Sequence, residues 1–428
     1  MILNSIGRNI ILITYDSLRA DHCSCYGYER ETTEELDKLA KNGVSFTNAH
    51  SVACRTLPSM TATHTGEPLA RDGKMKPEEF AREHFQRHTS IAETLSNDGY
   101  STAAFNPNAY ASRHYGFDSG FDYFQDFFFD DTLYQKIFER HTSGSSLFTT
   151  LRNVRNLIRR EEVFRTWDTY VDEIVEWVED QREPFFVWTL SLDTHFPYLT
   201  PRKYRQWSSS PEMYYYNYVC NSLIEDLDAD IDKKTIQKII DIYDDSICFA
   251  DKLIGELRDR LAEYNPVFII HGDHGESFHE KGFYGHFYPS YYEENLHVPL
   301  VVSDGDMEET KIEDTTSLAD VPEIIEEVAE TGEVSYSGKD WIVASDFDNH
   351  RNRNLVSVRT DRYKYGIIMS DDHTEEELFD LLEDPNEENN KIDELDSLAS
   401  ELRSIAMQQI NQEKEELAIR RAVSEVKT

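Results

Sequence analysis

Residues 56 to 67 read TLPSMTATHTGE, with a threonine two positions ahead of a proline. Proline fits the first turn of a helix, where the N–H it lacks would have no intrahelical acceptor. The Thr56 hydroxyl then has two uses open to it. It can cap the helix by accepting a backbone N–H. Alternatively, the free N–H groups and positive dipole end of the helix cradle an anionic ester while Thr56 attacks it. A divalent cation on the Thr56 oxygen would lower its pKa and make the alkoxide available near neutral pH. Ligands for such a cation occur elsewhere, since Asp16 ends "NIILITYD" and Asp273 and His274 follow "VFIIHG". Alone, an Asp after a strand is ordinary turn or cap chemistry. In combination, Asp16, Thr56, Asp273 and His274 form a ligand set for one divalent ion, and two carboxylates with one imidazole suit Mn, Mg, Zn or Ca. A second ion at this locus would need another carboxylate and two histidines, of which His195 and His286 could supply part.

Two neighbours of Thr56 are also hydroxyl or thiol residues. Cys54 lies upstream of the helix start, where its sulfur should point away from the dipole end and the metal. Ser59 falls inside the first turn, and its hydroxyl is expected to act as a capping partner for a nearby backbone group.

The elements that must position these residues alternate along the chain. "NIILITYDS", "VSFTNAHS", "STAAFNPN", "PFFVWTLSLDTH" and "VFIIHGDHGE" read as strands, with "TTEELDKLAKNG" and "SIAETLSNDGY" as helices between them. Continuous apolar strands alternating with helices predict an α/β fold, a parallel or mixed sheet covered on both faces. Polar residues at the strand ends mark the active side of such a sheet. Residues of about 125 to 180 read as a helical insertion near the site entrance, and 1–305 as the catalytic domain. Residues 306–428 read as a C-terminal subdomain of short antiparallel strands, preceded by the helix "LADVPEIIEEVAE" and followed by an acidic-to-mixed helical tail.

The 428 residues carry 43 Lys+Arg against 82 Asp+Glu, a formal charge of -39. Repulsion from phosphate backbones disfavours nucleic-acid binding and attachment to anionic membranes. Such acidity fits a surface kept folded in high intracellular salt, where screening shortens to a few ångströms. With no signal-type N-terminus and no apolar run near the ~18 residues of a membrane helix, the expectation is a soluble, cytoplasmic, halophile-type protein. Cys23, Cys25, Cys54, Cys220 and Cys248 have the irregular spacing of free, packed thiols.

Nine segments in order resemble the sulfatase family of the alkaline phosphatase superfamily. They are "ILITYDSLRADHCSCYGY", "LDKLAKNGVSFTNAHS", "TLPSMTATHTG", "GYSTAAFNPN", "TLSLDTHFPY", "YDDSICFADKLIGEL", "HGDHGE", "YYEENLHVPLVV" and "VRTDRYKYGI" with "EELFDLLEDPNEENN". The resemblance implies a doubly wound α/β sandwich with a small C-terminal antiparallel sheet-and-helix subdomain. It also implies roles at the transferring group or leaving oxygen for His195 and His286, with Lys281 or His286 in place of the family's lysine, and it favours Ca or Mn slightly. Arg19 is read as a substrate contact or an ion-pair residue. His22, His64, His271 and His279 are expected to pack or to support other residues.

The chain departs from the family pattern at the nucleophile. Sulfatases have Cys-x-Pro-x-Arg or Ser-x-Pro-x-Arg and convert the Cys or Ser to formylglycine, whereas this chain has Thr56-Leu57-Pro58-Ser59-Met60. Cys54 is two residues out of register. Asp16-Ser17 and Asp273-His274 also differ from the family's common Asp-Asp and Asp-Asn. The set resembles superfamily branches with a threonine nucleophile, including phosphodiesterases and phosphoethanolamine or glycerophosphate transferases. A formylglycine hydrate expels sulfate by elimination; a threonine ester must be attacked again at its central atom, which phosphorus tolerates better than sulfur. The expected function is a metal-dependent hydrolase of a small phosphate or sulfate ester, with sugar-linked esters among the candidate substrates. A phospho-group transferase and a degenerate anion-binding protein are the competing readings.

Overall fold

The computed structural model describes residues 7–70, 76–127, 165–225, 231–348, 351–370 and 372–427. Eight strands form the main sheet, in the order Thr310–Ile312, Val44–Phe46, Leu300–Ser303, Val267–Gly272, Ile10–Tyr15, Phe185–Ser191, Ser101–Asn106 and Tyr123–Asp126. Only Leu300–Ser303 runs antiparallel to its two neighbours, which makes the sheet mixed. The central strand Ile10–Tyr15 is buried along its whole length.

Successive side chains of a strand face opposite sides, and the core divides accordingly. Ile11, Ile13 and Tyr15 pack with Val187, Phe268 and Ile270 on one face, against the helices Glu34–Ala40, Val171–Glu179, Lys233–Ala250 and Lys252–Arg260. Ile10 and Leu12 pack with Phe186, Trp188 and Ile269 on the other, against Thr56–Thr65, Pro77–Arg87, Ile91–Asn97 and Val321–Thr331. A sheet apolar on both faces requires this double cover.

Register places the site. Tyr15 lies opposite Ser191 on one side and Gly272 on the other. The next residues, Asp16 and Asp273, therefore leave the sheet side by side.

A four-stranded antiparallel meander follows, Trp341–Asp348, Arg353–Thr360, Tyr363–Met369 and Thr374–Asp380. The helix Asp396–Lys427 covers it through Ala399, Leu402, Ala406 and Ile410. Further along this helix, Leu417 enters the core of the main domain.

Two boundaries change. The main domain continues past 305, because Thr310–Ile312 extends the large sheet and Val321–Thr331 buries Ile324, Ile325 and Val328 in its core. "VSFTNAHS" holds two short strands, Val44–Phe46 and Ala49–His50, rather than one. Most of the expected helical insertion, 128–164, lies outside the described residues. Its flanks are an edge strand, Tyr123–Asp126, and the helix Val171–Glu179. No helix among the described residues is long and apolar enough to cross a membrane.

Candidate active site

The helix Thr56–Thr65 begins one residue earlier than a capping threonine requires. Arg55 is the N-cap, in extended conformation, and Thr56 is the first helical residue. Its hydroxyl does not cap the helix. Thr56 Oγ1 lies 3.4 Å from Asp16 Oδ2 and 3.3 Å from His274 Nε2.

Asp16 is held by its surroundings on both sides of the carboxylate. Ser17 adopts φ 64°, an uncommon left-handed conformation for a residue with a Cβ. That turn aims the Ser17 N–H at Asp273 Oδ1, 2.9 Å away, while Ser17 Oγ donates to Asp16 Oδ1 at 3.0 Å. Asn108 Nδ2 donates to Asp16 Oδ2 at 2.5 Å. Thr194 Oγ1 donates to the Asp16 carbonyl at 2.6 Å.

Asp273 and His274 sit just past the neighbouring strand. His274 Nδ1 is 2.8 Å from the Gly275 carbonyl. A carbonyl only accepts, so the proton is on Nδ1 and the Nε2 lone pair faces Thr56, with Asp273 Oδ2 at 3.5 Å and Asp16 Oδ1 at 3.8 Å. Gly275 permits this bend. A Cβ there would lie 2.0 Å from the Glu294 carbonyl.

The electrostatics are those of two carboxylates in one dry pocket. Asp16, Asp273 and His274 are all fully buried. Burial drives the Asp273 carboxyl well above its ordinary value, and the neighbouring Asp16 raises it further. Burial also opposes ionisation of Asp16, but the His195 and His286 imidazoles and the Ser17 hydrogen bond outweigh it and leave Asp16 lowered. His274 is pushed down to about 3, first by burial and then by His286, and is therefore neutral. Asp273 Oδ2 has no hydrogen-bond partner. An orphaned buried carboxylate oxygen is costly. The ligand atoms of Asp16, Asp273 and His274 lie within 4.8 Å of one another, and two carboxylates with a neutral imidazole are a donor set that fits one divalent cation.

Two more histidines join this group. His286 Nδ1 is 2.9 Å from Glu276 Oε1, and its ring lies 4.4 Å from His274 and 5.0 Å from His195. Burial alone would lower His286, yet the Glu276 carboxylate more than restores it, and the ring ends above the usual histidine value. His195 Nδ1 bonds the Phe196 carbonyl.

The other sequence candidates point elsewhere. Lys281 Nζ bonds the carbonyls of Asn386 and Glu387 at 2.8 and 2.6 Å and stands over the Tyr292 ring, so it fastens the C-terminal subdomain. Arg19 is an ion-pair residue, held by Asp21 and Glu280. Cys54 Sγ accepts from the Ser290 N–H at 3.3 Å and lies 3.5 Å from Asp346 Oδ2, with its thiol pushed up to about 12 by burial. Ser59 Oγ donates to the Asp273 carbonyl at 2.5 Å instead of capping its own helix. His22 pairs with Asp244, His64 packs edge-on against Trp188, and His271 bonds Thr14.

Asn108, Glu276 and Arg55 had no role in the sequence reading. Glu276 stands in the same "HGDHGE" stretch as Asp273 and His274, which was the available signal. Arg55 bonds Asp346 and the Phe347 carbonyl, anchoring the helix Thr56–Thr65 to the C-terminal sheet. A cavity of about 290 Å³ opens between the 282–292 segment and that sheet, lined by Phe283, Tyr288, Tyr291, Tyr292, Arg351 and Arg353 among others.

This fold and this strand-end constellation define a class of ester hydrolase. A sulfatase family profile matches residues 8–329, and the chain belongs to the sulfatase family. It is 23% identical to human arylsulfatase K over 89% of this chain and 78% of that one. It is 25% identical to an arylsulfatase of Clostridium perfringens over 69% of this chain and 68% of that one. Among solved structures, a phosphonate monoester hydrolase of Agrobacterium radiobacter superposes with TM-score 0.66 at 17% identity, over 96% of both chains. A 2-O GAG sulfatase superposes with TM-score 0.70 at 16% identity, over 96% of this chain and 94% of that one.

Proposed function

We propose that the chain hydrolyses small anionic esters, phosphorus esters in preference to sulfate esters, through a covalent ester on Thr56. The observation that carries this reading is the Thr56 hydroxyl, placed at a helix start within 3.4 Å of Asp16 and 3.3 Å of His274. The free N–H groups of that first turn favour an anion in front of it. Asp16, Thr56, Asp273 and His274 would hold one divalent ion, which when bound supplies charge neutralisation and Lewis-acid stabilisation of anionic oxygen.

Thr56 Oγ1 attacks phosphorus and passes its proton to Asp16 Oδ2. As the Oγ1–P bond forms, the bond from phosphorus to the leaving oxygen breaks. That oxygen takes a proton from His286 Nε2, because Glu276 on Nδ1 favours the imidazolium. Water then attacks phosphorus and returns a proton to His286. The Oγ1–P bond breaks, and Thr56 recovers its proton from Asp16. His195, beside His286, orients the leaving group.

The preference for phosphorus follows from the threonine. Its ester has no second hydroxyl on the same carbon, so it cannot expel the bound group by elimination, and Met60 leaves out the positive charge of the family's arginine. A phosphonate monoester hydrolase shares the fold. Aryl phosphates, phosphodiesters, phosphonates and sulfates should be assayed with Mn, Mg, Ca and Zn, and quenched samples examined by peptide mass spectrometry. Metal-dependent turnover of phosphorus esters with an adduct on Thr56 is expected. Turnover of sulfates alone, or an adduct on another residue, overturns the reading.

A further inference from the structure

A second set of metal-ligating side chains lies where the far part of the C-terminal helix meets Pro77–Arg87. His84 lies in the last turn of that helix and His88, four residues on, is its C-cap residue in extended conformation, and their rings stack with centroids 4.3 Å apart. Glu416 of the helix Asp396–Lys427 completes the group. One ligand atom from each of the three lies within 4.8 Å of the others.

The hydrogen bonds assign the tautomer of His84. Thr65 Oγ1 donates its one proton to a backbone carbonyl, with those of Thr61 at 2.8 Å and Glu67 at 3.3 Å. Toward His84 Nε2, 3.0 Å away, it therefore accepts. The His84 proton is on Nε2, and Nδ1 keeps a lone pair. His84 is fully buried and Nδ1 has no hydrogen-bond partner. Burial, then the charges of His88, Arg420 and Arg87, hold this imidazole at about 3, neutral as a metal ligand must be. On the carboxylate, Arg420 Nε and Nη2 both bond Glu416 Oε1, and Arg87 is 4.0 Å from the same oxygen. Oε2 has no partner among the described residues.

We propose that His84 Nδ1, His88 and Glu416 Oε2 bind a divalent transition metal, zinc foremost, at a site separate from the ester centre. Two imidazoles at i, i+4 with a carboxylate from another element, and water in the fourth position, make a tetrahedral zinc set. Nitrogen-rich donors favour Zn or Co over Mg and Ca, which take oxygen. Thr65 is the outer hydrogen-bond partner that orients His84. It is the last residue of the helix that starts at Thr56. The ion would fasten the C-terminal helix to the main domain, beside Leu417 in the core and Arg420 over Phe80. Because the three ligands converge only in the folded chain, binding stabilises it.

The test uses the full chain carrying Asp273→Ala, which disables the ester-site ligand set, stripped of metal and titrated with Zn(II) and Co(II). One Zn(II) per chain, a higher Tm and a tetrahedral Co(II) absorption band are expected. Adding His88→Ala should weaken Zn(II) at least ~100-fold, since even outer partners of metal ligands are worth 10- to 100-fold, and should remove the rise in Tm. His88→Ala alone should leave ester turnover within a few-fold. Absence of stoichiometric binding, or binding indifferent to His88→Ala, overturns the proposal. If Asp273→Ala does not fold, crystals of the unaltered chain grown with zinc decide by anomalous scattering. A peak among His84, His88 and Glu416 supports the site, and a map without one rejects it.

Discussion

Ser59 Oγ stands 2.5 Å from the carbonyl oxygen of Asp273, so the helix that presents Thr56 is bonded to the strand end that presents the Asp273 carboxylate. Ser51 Oγ donates to the same hydroxyl at 2.9 Å, and Ser59 is fully buried. Ser59→Ala should leave a buried carbonyl unpaired and destabilise the chain by about 1–3 kcal/mol. Because the helix also sets the position of Thr56, kcat should fall further than stability alone explains. Denaturant unfolding and kinetics measured together check this, and unchanged kcat and stability would refute the role of the bond.

Thr56→Ala should reduce turnover by at least ~100- to 1,000-fold, the typical cost of losing one oxyanion-hole donor. Cys54→Ala should stay within a few-fold, since the Cys54 sulfur faces Ser290 and Asp346. The reverse ranking, or formylglycine at position 54 by mass spectrometry, would remove Thr56 from the mechanism.

Asp251 is a buried carboxylate that accepts the N–H groups of Glu35 and Leu36 at 2.7 and 3.0 Å, at the start of Glu34–Ala40. Burial pushes its pKa up to about 7 from 3.8, against the pull of those two N–H groups and of Lys252. Between these values the folded chain binds more protons than the unfolded one. Its contribution to stability is therefore largest below the unfolded pKa and is lost as pH rises through about 7. Asp251→Asn keeps an acceptor and cannot ionise, so its stability relative to the unaltered chain should climb from about pH 5 to about pH 8. Unfolding curves at several pH values with a constant difference would contradict this.

Lys364 is buried between Glu293, 3.1 Å away, and Glu387. Lys364→Ala leaves Glu387 without its cation at the join between the main domain and the C-terminal sheet, while Glu293 keeps His50 and Arg359, and removing one partner of a buried ion pair costs about 3–5 kcal/mol. Thermal unfolding and limited proteolysis should show the C-terminal subdomain loosening first. A variant as stable and as protease-resistant as the parent would show that the pairing carries no weight.

Much of the ester site is local in origin, and to that extent the amino-acid sequence determined it. An apolar strand must end where its polar residues begin, which marks Asp16 and Asp273, and a proline in a first turn marks the helix start at Thr56. The ordered segments around them carry the family and its fold. Tertiary structure decided what depends on distant chain segments. Register between parallel strands set Asp16 beside Asp273. Packing turned Lys281 toward Asn386 and Glu387, although its place in the sequence suits a substrate contact, because a long flexible cation goes to the nearest buried acceptors. It also brought Asn108 to Asp16, Glu276 to His286 and Glu416 to His84 and His88. Hydrophobic periodicity records which face of an element is buried, but not which polar group from another element will meet it there.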